Sequence, residues 1–289
     1  RIFADGTSYD ELSVNIHQKG DLAPKHHANM YYNGTIGKLG IDFNMDYMWQ
    51  KDNSDLLNDE ASGNFDDARV ASSTLNHSRL FAEKLVFSYP VWKGSIEFGN
   101  EYTSSRFATD YTTNASQLTS ADSRVDESNI AGFVQLAQHF GIWNVGAGLR
   151  YEHVAFKYLE NGQKRDDMSR SYNNLFPSLS LSTVIRKVQL ALSYTHKTQR
   201  PNYNSLDGTI DYINRFTFEG GNPYLKPEKI HDIQLSAAWS HFFGQLSYSY
   251  KKDPILNTTI PYGDDGEVVL IVKDNFPKMQ QLVAFLGGQ

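Results

Sequence analysis

From Leu39 to Gln50 the chain alternates: Leu39, Ile41, Phe43, Met45, Tyr47 and Trp49 share one face, while Gly40, Asp42, Asn44, Asp46 and Gln50 fill most of the other. Consecutive side chains of a strand point to opposite sides, so a period of two held over about ten residues describes a tilted strand with one face for hydrocarbon and one for water. The pattern returns with Trp143, Val145, Ala147, Leu149 and Tyr151 against Asn144, Gly146, Gly148, Arg150 and Glu152. It returns again in Val188–Thr195, in Ile233–Trp239 and in Gln245–Tyr250. A soluble antiparallel sandwich also alternates, but its strands average about 5–6 residues. Longer strands, aromatic ends, and small polar residues on the second face favour an all-β antiparallel transmembrane β-barrel around a wet lumen.

Short connections fall near 36–38, 90–93, 140–142, 186–187, 243–244 and 277–278, and long polar ones at 51–77, 106–127, 158–172, 199–226 and 257–265. Between them lie eleven expected strands, at 26–36, 38–50, 78–89, 94–105, 128–139, 143–157, 174–185, 187–198, 228–242, 245–256 and 266–275, with part of a twelfth after Met279. Outer-membrane barrels keep short turns in the periplasm and long loops outside, which sets the expected orientation.

Composition narrows the choices. No apolar run approaches the ~20 residues of a membrane helix. The formal charge of −6 argues against a nucleic-acid partner. There is no cysteine, and the nine histidines show no metal-ligand spacing; His26 and His27, being adjacent, point to opposite faces. No metal site and no cofactor are expected. Nothing in the composition shifts along the chain, so residues 1–289 read as one barrel domain, incomplete and without a plug. The chain opens at Arg1 without a signal peptide, so it is expected to be mature or a fragment.

Four local strings carry a family resemblance: Gly148-Leu149-Arg150-Tyr151-Glu152, LFPSLSLS at 175–182, THKTQRPNY at 195–203, and EGGNPYLKPE at 219–228. With them the chain resembles the barrel portion of the TonB-dependent receptor-like outer-membrane proteins of Bacteroidetes. Physically, Pro223 and Pro227 hold the backbone extended and withhold donors just before a strand, and Arg200-Pro201 marks a strand leaving the ladder. The extra glycine in Gly220-Gly221 is expected only to loosen its loop. The resemblance implies a 22-stranded barrel filled by a plug, nutrient import driven by the TonB complex through that plug, and a surface lipoprotein as a further partner. An open sheet of eleven or twelve strands would expose unpaired edges to lipid at several kcal/mol per backbone group, so the fragment alone is not expected to insert.

Cargo contacts are expected from the outer-loop aromatics Tyr203, Tyr212, Phe216 and Phe218; the lumen-facing Asp42, Asn44, Asp46, Arg150 and Glu152 are expected to line a ligand path or to contact a plug, two roles that call for the same polarity. The carboxylates Asp52, Asp55, Asp59, Glu60, Asp66 and Asp67 lack the spacing of a calcium loop. No nucleophile elbow, zinc motif or phosphate loop is present, so no enzyme is expected. Two alternatives stand beside import: a non-transporting surface scaffold or adhesin, and a barrel hydrolase using residues such as Ser193 and His196.

Overall fold

The computed structural model describes residues 2–4, 7–20, 24–263 and 266–288; Arg1, Gln289 and residues 264–265 of the expected 257–265 loop lie outside them. A small hairpin, β1 (Ile2–Ala4) and β2 (Thr7–Asp10), precedes the main sheet. The wall then runs through β3 (Leu12–Gly20), β4 (Lys25–Ile36), β5 (Leu39–Ser62), β6 (Ala68–Val91), β7 (Gly94–Thr113), β8 (Ala121–Phe140), β9 (Trp143–Glu160), β10 (Gln163–Ile185) and β11 (Val188–Gln199). An excursion follows, with a 3-10 turn at Tyr203–Ser205 and strands β12 (Ile210–Asn214) and β13 (Thr217–Gly220). The chain rejoins the wall with β14 (Glu228–Trp239) and β15 (Phe242–Lys252), leaves it as β16 (Ile255–Tyr262) and β17 (Val268–Asn275), and returns as β18 (Lys278–Gly288).

The twelve wall strands are antiparallel, in the order β18-β15-β14-β11-β10-β9-β8-β7-β6-β5, with β3 and β4 stacked along β5 in one edge place. Five two-residue turns join them at the lower rim. Their first residues, Gly37, Trp92, Gly141, Arg186 and Ser240, have φ between 53° and 62°, the left-handed start that matches the twist of a tight hairpin. At the opposite rim Asn161-Gly162 turns β9 into β10 with φ of 50° and 74°, the type I′ signature.

Three expectations need correction. Most of the long polar segments are strand: β5 has 24 residues and so has β6, a length of about 80 Å against the ~35 Å that a tilted strand needs to cross a bilayer. Segments 51–62, 68–77, 106–113 and 121–127 are therefore outer continuations of the wall, and 158–172 contains only the two-residue turn. The strand at 266–275 forms as β17 but outside the wall, parallel to β13 and antiparallel to β16 in a four-stranded sheet. Its run Val268-Val269-Leu270-Ile271-Val272 is continuously apolar, but only one face is covered: Leu270 and Val272 are buried, whereas Ile271 is half-buried and Val269 exposed. Consequently β15 pairs with β18, and Phe276-Pro277 lies at the outer end of the wall rather than at a lower turn.

Directly opposed residues of an antiparallel pair share a face, so the register divides the wall. Leu149, Leu179, Leu192, Leu235, Leu246 and Leu282 form an exposed apolar outer face over its lower half. Asp42, Asn44 and Asp46 lie on the inner face with Lys84 and Ala82, and Arg150 and Glu152 lie there with Phe133 and Ala131.

Candidate functional site: the capped lumen wall

Above the apolar band the inner face changes character. On β9 the inward series Arg150, Glu152 continues as Val154, Phe156 and Tyr158, all buried. The two excursions cover this surface. Leu206 and Leu225 pack with Val125, Phe156 and Tyr158 in one cluster; Tyr212, Phe218, Leu270 and Val272 pack with Val70 and Ala115 in another. Side chains of the wall hold the same cap: Asn58 donates to the Tyr212 carbonyl at 2.5 Å, and Glu60 binds Arg215 Nε at 3.0 Å and its backbone N–H at 2.9 Å.

The GNPYLKPE string is the cap's anchor. Arg170 of β10 lies over the Phe156 ring at 4.3 Å and donates to the carbonyls of Pro223, at 3.0 Å, and Leu225. Asn222 caps the turn by accepting from the Tyr224 N–H at 3.0 Å while its amide donates to the Lys273 carbonyl, also at 3.0 Å. Glu228 accepts from the Ile255 N–H at 2.8 Å. The string thus starts β14, as its prolines imply, and also ties both excursions together. Gly221 is not a loosening element: a Cβ there would collide with the Asp207 carbonyl oxygen, so the backbones cross where only glycine fits.

Where polar wall meets apolar wall, six side chains alternate in sign. Lys84 pairs with Glu101 at 2.8 Å, Glu101 with Arg150 at 2.6 Å, Arg150 with Glu152 at 2.8 Å, Glu152 with Arg200 at 3.0 Å, and Arg200 with Glu127 at 3.1 Å. Arg200 belongs to the excursion and the other five to β6, β7, β8 and β9, so the chain of charges stitches cap to wall. Burial pushes the Glu127 carboxyl up, against the pull of Arg200 and Arg170.

Between cap and wall lies a polar cavity of about 280 Å³, lined by Asn76, Asn202, Asp207, Asp211, Glu219 and Lys273 among others. It shares Asn76 and Asn202 with a second cavity of about 490 Å³ below, which Tyr203, Gln50 and Asp52 also line. Burial pushes Asp207 up to about 6, opposed by the Thr209 hydroxyl and N–H that it accepts from at 2.8 and 3.3 Å, and raises Asp211 as well. A carboxyl at about 6 when folded and ~3.9 when unfolded keeps its proton longer in the folded state. The cap therefore loses stability as pH rises from about 4 to about 6, by on the order of 2 kcal/mol after allowance for solvent screening. Asp207→Asn is expected to flatten that dependence, read by hydrogen exchange at the Thr209 and Gly221 amides, corrected for intrinsic rates, at pH 4.5 and 7.

The four aromatics singled out in the sequence separate. Tyr203 stacks on Phe107 at 5.8 Å, bonds Ser105 and faces the larger cavity. Tyr212 and Phe218 are buried in the cap, and Phe216 lies at the rim, edge-on to Phe65 at 5.8 Å. Asp46 is held by His27 and Asn29, and Asp42 by Tyr31 and Asn33, beside the β4 edge. The acidic residues of 52–67 split between faces with separate partners, Asp59 with Arg69 and Glu60 with Arg215. Among the described residues no three His, Asp or Glu converge as metal ligands. Ser193 and His196 lie on opposite faces of β11 and form no catalytic pair. The cavity residues of β16 and β17 and the anchor Arg170 were not singled out from the sequence; the apolar run of β17 was the signal for a strand with a face, Leu270 and Val272, packed beside the site.

The sequence model of the outer membrane protein beta-barrel family matches residues 34–289. The chain belongs to that family. It is an outer-membrane protein, with the five turns of its lower rim on the periplasmic side and its long arms and cap outside. No curated protein matches the sequence. Among solved structures the chain is similar to the copper transporter OprC, at TM-score 0.56 and 11% identity over 96% of this chain and 58% of that one. It is also similar to the Serratia marcescens hemophore receptor HasR, solved with its hemophore HasA and heme, at TM-score 0.51 and 10% identity over 95% and 51%. At such identities the likeness is one of fold, and this chain spans little more than half the length of either. It agrees with the resemblance to receptor barrels carried by the four sequence strings.

Proposed function

We propose that the chain forms about half of the barrel of a TonB-dependent outer-membrane receptor that imports a small polar nutrient. The observation that carries this is the polar cavity under the packed cap, which shares Asn76 and Asn202 with a larger, more apolar cavity below it, on the same inner face as the Lys84–Glu101–Arg150–Glu152 row. The amides, hydroxyls and carboxylates of the upper cavity, with Lys273, suit a ligand rich in hydroxyl or amino groups. The outer arms and cap capture cargo, the charged wall guides it, and a plug in the remainder of the protein gates the lumen and engages TonB. OprC and HasR, which share the fold, are a copper transporter and a hemophore receptor, in keeping with transport on this scaffold.

The test begins with the native protein. Peptide mapping and intact mass are expected to show a plug-sized polypeptide continuous with this barrel, and the purified full-length protein is expected to bind the periplasmic domain of TonB. A native chain without that polypeptide, or one that ignores TonB, overturns the reading and returns the barrel to a scaffold role.

A further inference from the structure

Lys229, Lys252 and Lys278 stand directly opposite one another across β14, β15 and β18. Opposed residues share a face, so the three ammonium groups form one row. That face is the outward one: beneath the row come His231, Tyr250 and Gln280, and beneath those Ile233, Tyr248 and Leu282, which are exposed. From Lys229 down to Trp239, beside the lower turn, is about ten residues at ~3.3 Å; a tilt of about 40° reduces this to ~25 Å, the height of a barrel's apolar band. The lysines therefore sit at the outer edge of the bilayer. A ring cluster lies just below them, where His196 stacks on His231 at 4.2 Å and Tyr194 bonds His231 at 2.9 Å, as in the aromatic girdle of the interface.

The two carboxylates nearest Lys229 on β14 do not face this row. Glu228 and Asp232 point to the lumen side, where they meet Lys251 at 3.7 Å and Lys197 at 2.8 Å. Lys252 and Lys278 are exposed and Lys229 is half-buried. Like charges directly opposed across a sheet repel, so the row gains nothing for the wall by itself. An anion at that height reverses the balance.

We propose that this row is a docking site for the phosphate groups of an outer-leaflet lipid. Its acyl chains lie along the apolar face of Ile233, Tyr248 and Leu282, and its headgroup phosphates meet the lysines, whose long stems let the ammonium groups reach the interface. The site is independent of any cargo in the lumen.

The test uses the full-length protein in neutral detergent with diphosphoryl lipid A as the probe. The triple variant Lys229→Gln, Lys252→Gln, Lys278→Gln is expected to bind it about 100-fold more weakly, roughly fivefold per lysine. A control triple at the lower turns, Lys38→Gln, Lys93→Gln, Lys187→Gln, removes the same charge and is expected to bind as the parent does. Lys252→Glu separates the site from general stability: it converts the row to alternating charge, raising the unfolding temperature without lipid while weakening lipid binding. Equal binding by the first triple variant, equal binding of lipid A stripped of its phosphates, or full displacement by millimolar inorganic phosphate each overturns the proposal. A heat-dependent shift in electrophoretic mobility verifies that every variant is a folded barrel.

Discussion

Replacement of Arg200 by methionine is expected to release the segment 200–227 from the wall at a cost of about 3–5 kcal/mol, the usual penalty for removing one partner of a buried ion pair. Arg200 is 27% exposed, and the two carboxylates it joins, Glu127 and Glu152, are each 10% exposed. Both would be left facing a covered interior. Glu152 keeps Arg150, whereas Arg200 is the salt-bridge partner recorded for Glu127, whose carboxyl burial already pushes up. Methionine preserves the stem's packing, so the loss reports charge rather than volume. Lysine presents a single point charge and cannot span two carboxylates 3.0 and 3.1 Å away on separate nitrogens, so Arg200→Lys is expected to recover only part of the loss. Hydrogen exchange should accelerate at the Ser205, Leu206 and Leu225 amides while the lower halves of β8 and β9 stay protected. Unchanged exchange at those three amides would show that the ion pairs add nothing to the cap.

What the sequence disclosed follows from where lipid constrains it. Between Leu39 and Gln50, one side must be apolar, and the ten lower strands from Lys25 to Lys252 are readable from that alternation. Above the bilayer both faces of an arm are wet or covered by protein, and the rule lapses. Asp52, Asp55 and Asp59 thus read as loop chemistry although they stand on paired strand. Asn58 had no alternation to reveal that it faces the cap.

The cap was hidden for a second reason. Its contacts join residues far apart in sequence, such as Asn58 with Tyr212 and Glu60 with Arg215, and no local spacing encodes them. The anchor string was recognisable, and its prolines gave its strand-entry role, but its grip on Arg170 and Lys273 depends on the folded excursions. Gly221 illustrates the limit: its need for a missing Cβ arises from Asp207, fourteen positions earlier in the chain.

Phe218→Ala is the substitution expected to open the cap most fully. The ring is completely buried, 5.5 Å from Tyr212 and 5.1 Å edge-on to Tyr262, among Val70, Leu270 and Val272. Truncating such a ring costs about 3–5 kcal/mol. The wall does not depend on it, because the β5–β6 ladder closes through its own backbone bonds, so the loss should appear as local opening rather than global unfolding. Amides of β12, β13 and β17 are expected to exchange at least 100-fold faster, with the lower wall unchanged. Phe216→Ala, at a half-buried rim position against Phe65, should cost less than Phe218→Ala because less apolar surface leaves contact. Tyr203→Ala tests the other half of the reading. If the cavity below the cap receives cargo, loss of the Tyr203 ring weakens capture without loosening β12 or β13, while Phe218→Ala weakens capture through the loosening itself. Equal exchange in the two variants would mean that Tyr203 serves the cap's packing rather than the cavity it lines.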